Sequence, residues 1–490
     1  MSGHSKHYAA IRLIEWIVAS ILRRRDKVSH CVWVGLAAAC WTGSLNAACP
    51  VTINIQDEFV DALNQPMEHY VDPDVVYDSE YAGSPIVDGE TYYESSYPDE
   101  STFDSNGVGI PFLNIATDFS TDMLDFQNRQ TSKEIFLLEH AFRNGGQPMA
   151  TLGIQFRGSA LGARTNTKDK FSYMGRFPTD FEGTHATDVR LLQASQGFSF
   201  TFAPAMHGHF ETLFSDVFSF DSSKQGSFQV RQAYIVLGDF ERSPFYAYLG
   251  KKNIGFGDMG TLSPFTQAVP WHYFSGLAEG GGVGFDNGRL HWSVSALNGS
   301  RGIRVVDSEA KGDLNNFAAN ALFRVPVRRD DSELNLGVGY LNGSIYDGNV
   351  AEHLDASITG ERNGVWDVNA YARVRRLHLA AEYLQTESAW PATGHRVSAL
   401  RGEAAFDSSF FESPARWSVS WSEGKQGSPG TEFEFNRQLV IGYAVQPNPY
   451  AQLSVEYVRS SGFAPLMNIT TVSDRDVEQN SIVFGVNLVL

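Results

Sequence analysis

Two arginines on one candidate strand are the residues best placed to bind a charged solute. Arg373 and Arg375 lie two positions apart, so in an extended strand both side chains point to the same side as Asp367 and Asn369. Cations that face a water-filled passage would attract an anionic solute into an otherwise acidic protein. The same arginines could instead pair with neighbouring carboxylates and only stabilise the structure. On the first interpretation, Arg373, Arg375, Asp367 and Asn369 are the candidate ligand-binding residues.

Two other patterns are weak signals of metal or nucleotide binding. His207 and His209 share one strand face and could chelate a metal, although a solvated histidine pair fits the same spacing and is favoured. The glycine-rich run at residues 280–284 is a weak match to a nucleotide-binding loop. No alternation of strands and helices surrounds it, so a glycine-rich strand explains it better. The sequence therefore predicts no metal site and no cofactor.

One histidine and one serine have the spacing of a hydrolase embedded in a membrane. His291 and Ser293 share a strand face, and a nucleophile acting on lipid must face the lipid. The apolar residues Leu290, Trp292 and Val294 occupy that side, which turns His291 and Ser293 away from it. We therefore predict no catalytic residue and a chain that is not an enzyme.

All these residues lie within a long array of segments in which apolar and polar residues alternate. The apolar sets include Leu290, Trp292 and Val294; Leu334, Leu336, Val338 and Tyr340; Trp366, Val368, Ala370, Ala372 and Val374; Trp417, Val419 and Trp421; and Ala451, Leu453, Val455 and Tyr457. Such alternation is typical of strands with lipid on one face and a wet lumen on the other. A soluble β-sandwich alternates too, but the aromatic residues at strand ends and the length of the array favour a membrane barrel. The predicted fold is all-β: a transmembrane antiparallel β-barrel of about 16 strands, within a range of 14 to 18.

The composition of the chain limits its partners. It has 490 residues and a formal net charge of -18, which argues against a nucleic-acid-binding surface. The three cysteines, Cys31, Cys40 and Cys49, all lie in the first tenth of the chain, so the exported protein would contain no internal disulfide.

The start of the chain has the organisation of a secretory signal. Basic residues at 23–25 precede an apolar run at 31–40 and small residues at 44–48, which predicts cleavage after Ala47 or Ala48. A retained membrane anchor and a lipoprotein attached through Cys49 are the less favoured alternatives. The predicted domains are a signal peptide at 1–48, an acidic tyrosine-rich segment at 49–130 and a transmembrane barrel at 131–490.

The acidic segment has charge of one sign only. No Lys or Arg occurs between Val28 and Asn128, whereas Asp and Glu accumulate between residues 57 and 104. Charge of one sign resists packing, so a mostly irregular, solvated extension is favoured. Its interspersed tyrosines leave open a metal-attracting or lumen-filling element.

One stretch carries a family resemblance. Residues 231–257 contain Gln232-Ala233-Tyr234 leading to Gly238, then the run from Ser243 to Ala247 and a close at Phe256-Gly257. In these features the chain resembles the LbtU-type, legiobactin-receptor-like siderophore porins, and the similarity extends over about residues 187–290. The resemblance implies an outer-membrane barrel that receives a ferric siderophore without a TonB box, and it supplies no ligand residues.

The end of the chain agrees with that location. The final strand, from Ser481 to Leu490, resembles the signal by which the barrel assembly machinery recognises its substrates, although Leu490 stands where an aromatic residue is usual. The predicted partners are a ferric siderophore or another small solute, outer-membrane lipid and lipopolysaccharide, and the assembly machinery. A general diffusion porin is the alternative function.

Overall fold

A computed structural model describes residues 113–125, 133–168, 183–215, 227–298, 314–327, 331–346, 362–431, 434–462 and 476–490. The predicted leader at 1–48, and the predicted acidic segment as far as residue 112, lie outside these residues. Among the described residues, no helix has the length and apolar character needed to cross a bilayer.

The described residues form a short first strand, β1 (Leu113–Asn114), and sixteen longer ones. The longer strands are β2 (Met149–Thr165), β3 (His185–Ala203), β4 (Met206–Ser215), β5 (Ser227–Gly238), β6 (Phe245–Asn253), β7 (Leu277–Asp286), β8 (Leu290–Asn298), β9 (Leu314–Arg324), β10 (Ser332–Leu341), β11 (Val365–Val374), β12 (Leu377–Trp390), β13 (His395–Phe410), β14 (Ser413–Lys425), β15 (Asn436–Asn448), β16 (Ala451–Gly462) and β17 (Glu478–Val489). From β2 to β17, consecutive strands pair antiparallel with one another.

The sheet closes on itself. β17 pairs antiparallel with β2, with Val489 opposite Gln155 at one end and Gln479 opposite Thr165 at the other. Closure leaves none of the sixteen strands as an open edge, which is what a lipid environment requires. The predicted all-β antiparallel barrel of about 16 strands is therefore confirmed.

The two faces of the barrel differ in polarity, as β17 illustrates. Ile482, Phe484 and Leu488 point outward and are 44–57% exposed, whereas Gln479 and Ser481 point inward and are buried. The same arrangement recurs around the barrel, so its outer surface is a continuous apolar wall that must be covered by hydrocarbon.

The connections between strands distinguish the two ends of the barrel. At the short-turn end, tight connections such as residues 204–205, 375–376 and 449–450 join the strands, whereas residues 166–184, 254–276 and 342–364 connect strands at the long-loop end. Outer-membrane barrels direct their short turns to the periplasm.

Aromatic side chains mark both ends on the outside of the wall. Phe285 and Trp292 stack near the short-turn end, with ring centroids 6.1 Å apart, and Tyr340 and Trp366 lie 4.5 Å apart near the long-loop end. These are the interfacial positions that aromatic rings prefer. Trp390, at the end of β12, instead packs inward on Tyr346.

Three helices occur among the described residues: α1 (Thr117–Leu124), α2 (Lys133–Arg143) and α3 (Val269–Phe274). β1 pairs in parallel with the start of β2, at Ala150 and Thr151, just beyond the point where β17 ends. The described chain therefore enters the barrel at the short-turn end. The helix pair α1 and α2 follows and packs against inward-facing residues of β2 to β5.

Candidate functional site

The connection between β6 and β7 folds into the barrel instead of extending away from it. This inward loop, residues 254–276, contains α3, which starts with Pro270 in its first turn. Its apolar side chains, including Phe256, Met259, Trp271 and Tyr273, are almost completely buried. They pack on inward residues near the long-loop ends of β12 and β13 and on Tyr346. The loop therefore crosses the lumen and contacts the opposite wall.

Three buried carboxylates on that wall accept hydrogen bonds from the inward loop. Glu382 of β12 accepts from the backbone N–H of Asp258 (2.9 Å) and Met259 (3.0 Å); Glu403 of β13 accepts from the N–H of Leu262 (2.9 Å) and the Thr261 hydroxyl (2.6 Å); Glu456 of β16 accepts from the N–H of Phe265 (2.8 Å) and Thr266 (3.1 Å). Charge-assisted bonds of this kind are stronger than neutral ones. They fix the course of the loop backbone from residue 258 to residue 266.

One arginine forms ion pairs with two of these carboxylates. Arg401 of β13 donates from Nε to Glu382 (2.7 Å) and from Nη1 to Glu403 (2.7 Å), and its Nη2 pairs with Asp258 of the inward loop. The Arg401 side chain is 1% exposed. A buried cation with three carboxylate partners makes a satisfied network that joins the loop to the wall.

Two glycines let the inward loop approach the barrel closely. A Cβ at Gly339 of β10 would lie 2.9 Å from the backbone nitrogen of Gly257, and Gly257 itself has a φ of +68°. Only glycine meets both demands without strain. Gly257 is the last residue of the stretch 231–257, which carries the family resemblance.

The helix pair fills another part of the lumen. Phe119 and Met123 of α1, with Ile135, Phe136, Leu137 and Leu138 of α2, form an apolar cluster with Tyr234, Val236, Tyr246 and Tyr248 of the wall. The alternate residues of these strands, such as Leu237 and Leu249, face outward. The helix pair is therefore inside the barrel, against β5 and β6.

A carboxylate of α2 is held by the same wall. Glu134 lies with Oε2 at 2.6 Å from the Lys252 ammonium, and its Oε1 accepts a hydrogen bond of 3.2 Å from the Tyr246 hydroxyl. The Lys252 ammonium also lies over the Tyr248 ring, 4.5 Å from its centroid. All these groups are buried, so the ion pair acts in a medium of low polarity.

The neighbouring lysine of α2 is buried as well. Lys133 donates from Nζ to the backbone carbonyls of Met123 and, at 2.7 Å, Asp125, which ties the two helices together. Burial lowers the pKa of the Lys133 ammonium from 10.5 to about 8, and the Glu211 carboxylate partly opposes that shift. Glu211 is itself paired with Arg231 of β5 at 3.1 Å.

Three of the four predicted ligand residues do face the lumen. Asp367 is buried beside Gly257 of the inward loop, and Asn369, which is also buried, donates to Asp367 at 2.6 Å. Arg373 lies further along β11, towards the short-turn end, with Nε at 3.9 Å from Glu333. These residues share a face but do not converge on one point, and their role in ligand binding remains a prediction.

The placement of Arg375 was predicted wrongly. β11 ends at Val374, and Arg375 lies in the two-residue turn to β12 with a φ of +57°. Its side chain is 74% exposed and pairs with Asp331 at 3.2 Å. The turn ends the alternation, so Arg375 does not share the inward face of Arg373.

The histidines singled out by the sequence lie on the inward face. His207 contacts the Thr201 hydroxyl and the Gly238 carbonyl, and His209 contacts the Ser199 hydroxyl. Within the described parts of the chain, no group of three or more His, Cys, Asp or Glu could hold a metal ion.

The serine and histidine considered for hydrolysis are also where alternation placed them. His291 and Ser293 are buried and inward, whereas Val294 is 45% exposed on the outer face. His291 Nδ1 lies 3.2 Å from a carboxylate oxygen of Asp286. The inward prediction for both residues is confirmed, so Ser293 does not face lipid.

The glycine-rich run has a structural explanation. It lies in β7, and a Cβ at Gly282 or Gly284 would meet the rings of Tyr248 or Tyr246 at 2.8 Å and 2.2 Å. The glycines therefore leave room for two tyrosines of the neighbouring strand to lie flat over β7. These are the tyrosines that contact Lys252 and Glu134.

Sequence reasoning did not single out Glu134, Lys252, Arg401 or the three wall glutamates. In the sequence, an isolated charged residue on an alternating strand cannot be distinguished from any other polar residue that faces the lumen. The partners of these residues are up to 191 positions away in the sequence. One available signal was residues 254–276, a long connection that is rich in aromatic residues where a solvated loop would be polar.

A closed antiparallel barrel with an apolar exterior, a polar interior and an inward loop defines the class of protein: a porin-like outer-membrane channel, located in the outer membrane. No protein-family model matches this chain, and no curated protein matches it.

Solved structures that resemble this chain include three outer-membrane proteins. The channel DcaP of Acinetobacter baumannii is 12% identical, with 70% of this chain and 97% of that one covered and a TM-score of 0.47. OprB of Pseudomonas putida is 8% identical, covering 74% and 99%, with a TM-score of 0.45. An anion-selective porin from Comamonas acidovorans is 9% identical, covering 70% and 100%, with a TM-score of 0.46. Similarity this distant does not establish the function of this chain. The class of protein follows from the geometry of the barrel itself.

Proposed function

We propose that this chain is a selective channel that binds a ferric siderophore and passes it into the periplasm without a TonB box. The stretch that resembles siderophore porins, residues 231–257, includes most of β5, all of β6 and the start of the inward loop. Its lumen-facing residues hold α2 in place. The proposal rests on one observation: the stretch that resembles siderophore porins also contains the wall residues that bind α2 and the start of the inward loop.

The filled lumen favours selectivity over unhindered diffusion. An inward loop is anchored to the wall opposite its origin by three carboxylates, and a helix pair is anchored against β5 and β6 by a buried ion pair. A solute must pass these elements or displace one of them. Arg373 lies near the short-turn end of the lumen. We propose that its cation contacts an anionic solute as the solute leaves the barrel for the periplasm.

The test is binding and conductance of the purified, folded protein. Labelled ferric siderophores of carboxylate, catecholate and hydroxamate type are offered to the full chain, with their iron-free forms as controls. Saturable binding of one ferric form, together with small single-channel currents that this form blocks, is the expected result. Absence of saturable binding by every type would refute the siderophore assignment.

A general diffusion porin is the second candidate. The barrel and its inward loop are equally consistent with it, and a large, unselective conductance in planar bilayers would establish it in place of the first. A membrane-embedded hydrolase has least support because Ser293 faces inward. Lipolysis that persists in Ser293→Ala would remove its one candidate nucleophile.

A further inference from the structure

The wall that holds α2 has the composition of a carboxylate-binding site. Both oxygens of Glu134 face charged or polar groups of the barrel: Oε2 forms an ion pair with the Lys252 ammonium at 2.6 Å, and Oε1 accepts a hydrogen bond of 3.2 Å from the Tyr246 hydroxyl. A cation and a neutral donor on the two oxygens of one carboxylate give both charge and orientation. The site is rigid because both Lys252 and Tyr246 lie on β6, which pairs with β7, and the Tyr246 ring packs over Gly284 of β7.

The donors of this site belong to the barrel, whereas the carboxylate belongs to a separate element. Lys252 and Tyr246 are both on β6, while Glu134 lies on a helix joined to β2 through Gly145 and Gly146, both at φ +62°. Among the described residues, Glu134 is the carboxylate that forms an ion pair with Lys252. Withdrawal of α2 would leave a buried ammonium without its counterion, which is costly unless another anion takes the place of Glu134.

A further hydroxyl lies on the neighbouring strand. The Tyr234 hydroxyl of β5 is buried, its ring belongs to the same apolar cluster as Tyr246, and it has no hydrogen-bond partner among the described residues. A larger ligand with more than one oxygen could engage it in addition to Lys252 and Tyr246. The wall therefore offers more hydrogen-bonding capacity than Glu134 uses.

We propose that Glu134 occupies a carboxylate-binding site formed by Lys252 and Tyr246, and that a carboxylate-bearing solute takes this site when α2 withdraws. Helix α2 is thus a tethered competitor with a high effective concentration. Only molecules in which α2 has withdrawn can bind a free carboxylate. The apparent affinity is therefore the intrinsic affinity multiplied by the fraction of molecules in that state. The inference rests on the proposed function only in treating the lumen as the path of a solute.

The test uses citrate as the probe and a thiol on α2 as the reporter. Ala141 is buried on α2, so Ala141→Cys, in the full chain with Cys31, Cys40 and Cys49 replaced by Ser, reports withdrawal of the helix through its rate of labelling by a water-soluble thiol reagent. Citrate should accelerate labelling, and sodium chloride at equal ionic strength should not. Labelling that citrate leaves unchanged would overturn the proposal.

Two substitutions distinguish a ligand site from a structural ion pair. Glu134→Gln weakens the internal competitor and should lower the half-maximal citrate concentration on the order of tenfold. Lys252→Gln removes the cation and should abolish the response to citrate. A half-maximal concentration unchanged by Glu134→Gln, or a citrate response that survives Lys252→Gln, would contradict the assignment.

The chain supplies matched controls for both. Glu139 lies on the exposed face of the same helix and Lys251 is the neighbour of Lys252 on the opposite face of β6, so Glu139→Gln and Lys251→Gln should respond to citrate as the parent does. Heat-modifiable migration in gels confirms that each variant has folded. The double exchange Glu134→Lys with Lys252→Glu should restore slow labelling without a citrate response.

The outcome is separable from that of the proposed function. If citrate accelerates labelling but no ferric siderophore binds, the carboxylate-binding site is supported and the siderophore assignment is refuted. Siderophore passage would support the proposed function. If citrate then left the labelling of α2 unchanged, and Glu134→Gln and Lys252→Gln also had no effect, the carboxylate site would be refuted.

Discussion

Replacement of Arg401 by Met tests whether the inward loop is held by a buried charge network. In the parent protein the guanidinium pairs with Glu382 and Glu403 of the wall and with Asp258 of the loop. Met keeps much of the apolar volume but leaves the two wall carboxylates, which are 0% exposed, without their counterion. Removing one partner from a buried ion pair costs about 3–5 kcal/mol. We therefore expect Arg401→Met to lower the free energy of unfolding by that amount.

The measurement is urea unfolding in lipid vesicles, followed by tryptophan fluorescence. Arg437→Met is the matched control, because Arg437 on β15 pairs with Glu423 at a similar distance, 2.6 Å, but is 43% exposed. An exposed pair of this kind contributes about 0–1 kcal/mol. Equal losses in the two variants, or a loss below 1 kcal/mol for Arg401→Met, would show that the network does not anchor the loop.

Two further predictions concern the helix pair and the wall behind it. Burial lowers the pKa of His140 from 6.5 to about 4, so docking of α2 should be fully stable above pH 6.5 and weaken by up to ~3 kcal/mol as the pH falls towards 4. The labelling rate of Ala141→Cys, divided by that of the same variant with His140→Leu, should therefore rise as the pH falls. A ratio that does not change with pH would refute this. Gly282→Ala should destabilise the barrel by ~1–3 kcal/mol in urea unfolding, because its Cβ would lie 2.8 Å from the Tyr248 ring of β6 and 2.7 Å from the Val294 carbonyl oxygen of β8. Gly402→Ala, which meets nothing within 4 Å, should be neutral, and equal effects of the two would count against the close packing of β6 on β7.

Alternation identified the barrel because the period of two is imposed by the pleat of every strand. It also located the inward face of β11 correctly from Asp367 to Arg373. The error at Arg375 came from extending the alternation by one residue into a turn. The correct boundary is visible in the sequence, since the outward apolar residues are even-numbered up to Val374 and odd-numbered from Leu377, which requires a two-residue turn between the strands.

The contents of the lumen were much harder to predict. The helix pair lies at the boundary between the predicted acidic segment and the predicted barrel, and the apolar residues of α2 at Ile135, Leu138 and Phe142 have helical spacing. Spacing shows that a helix forms, but it does not show which surface the helix covers. The ion pairs of Glu134 and Arg401 depend on closure of the barrel, which brings together residues far apart in the chain.

Single-channel recording of the intact protein and of Glu134→Gln in planar bilayers tests the central claim most directly. A barrel whose lumen contains an anchored inward loop and a helix pair should give small, discrete current steps, with more frequent openings in Glu134→Gln because the ion pair to Lys252 is lost. A large conductance that is always open in both proteins, or no transmembrane current from either, would contradict the account.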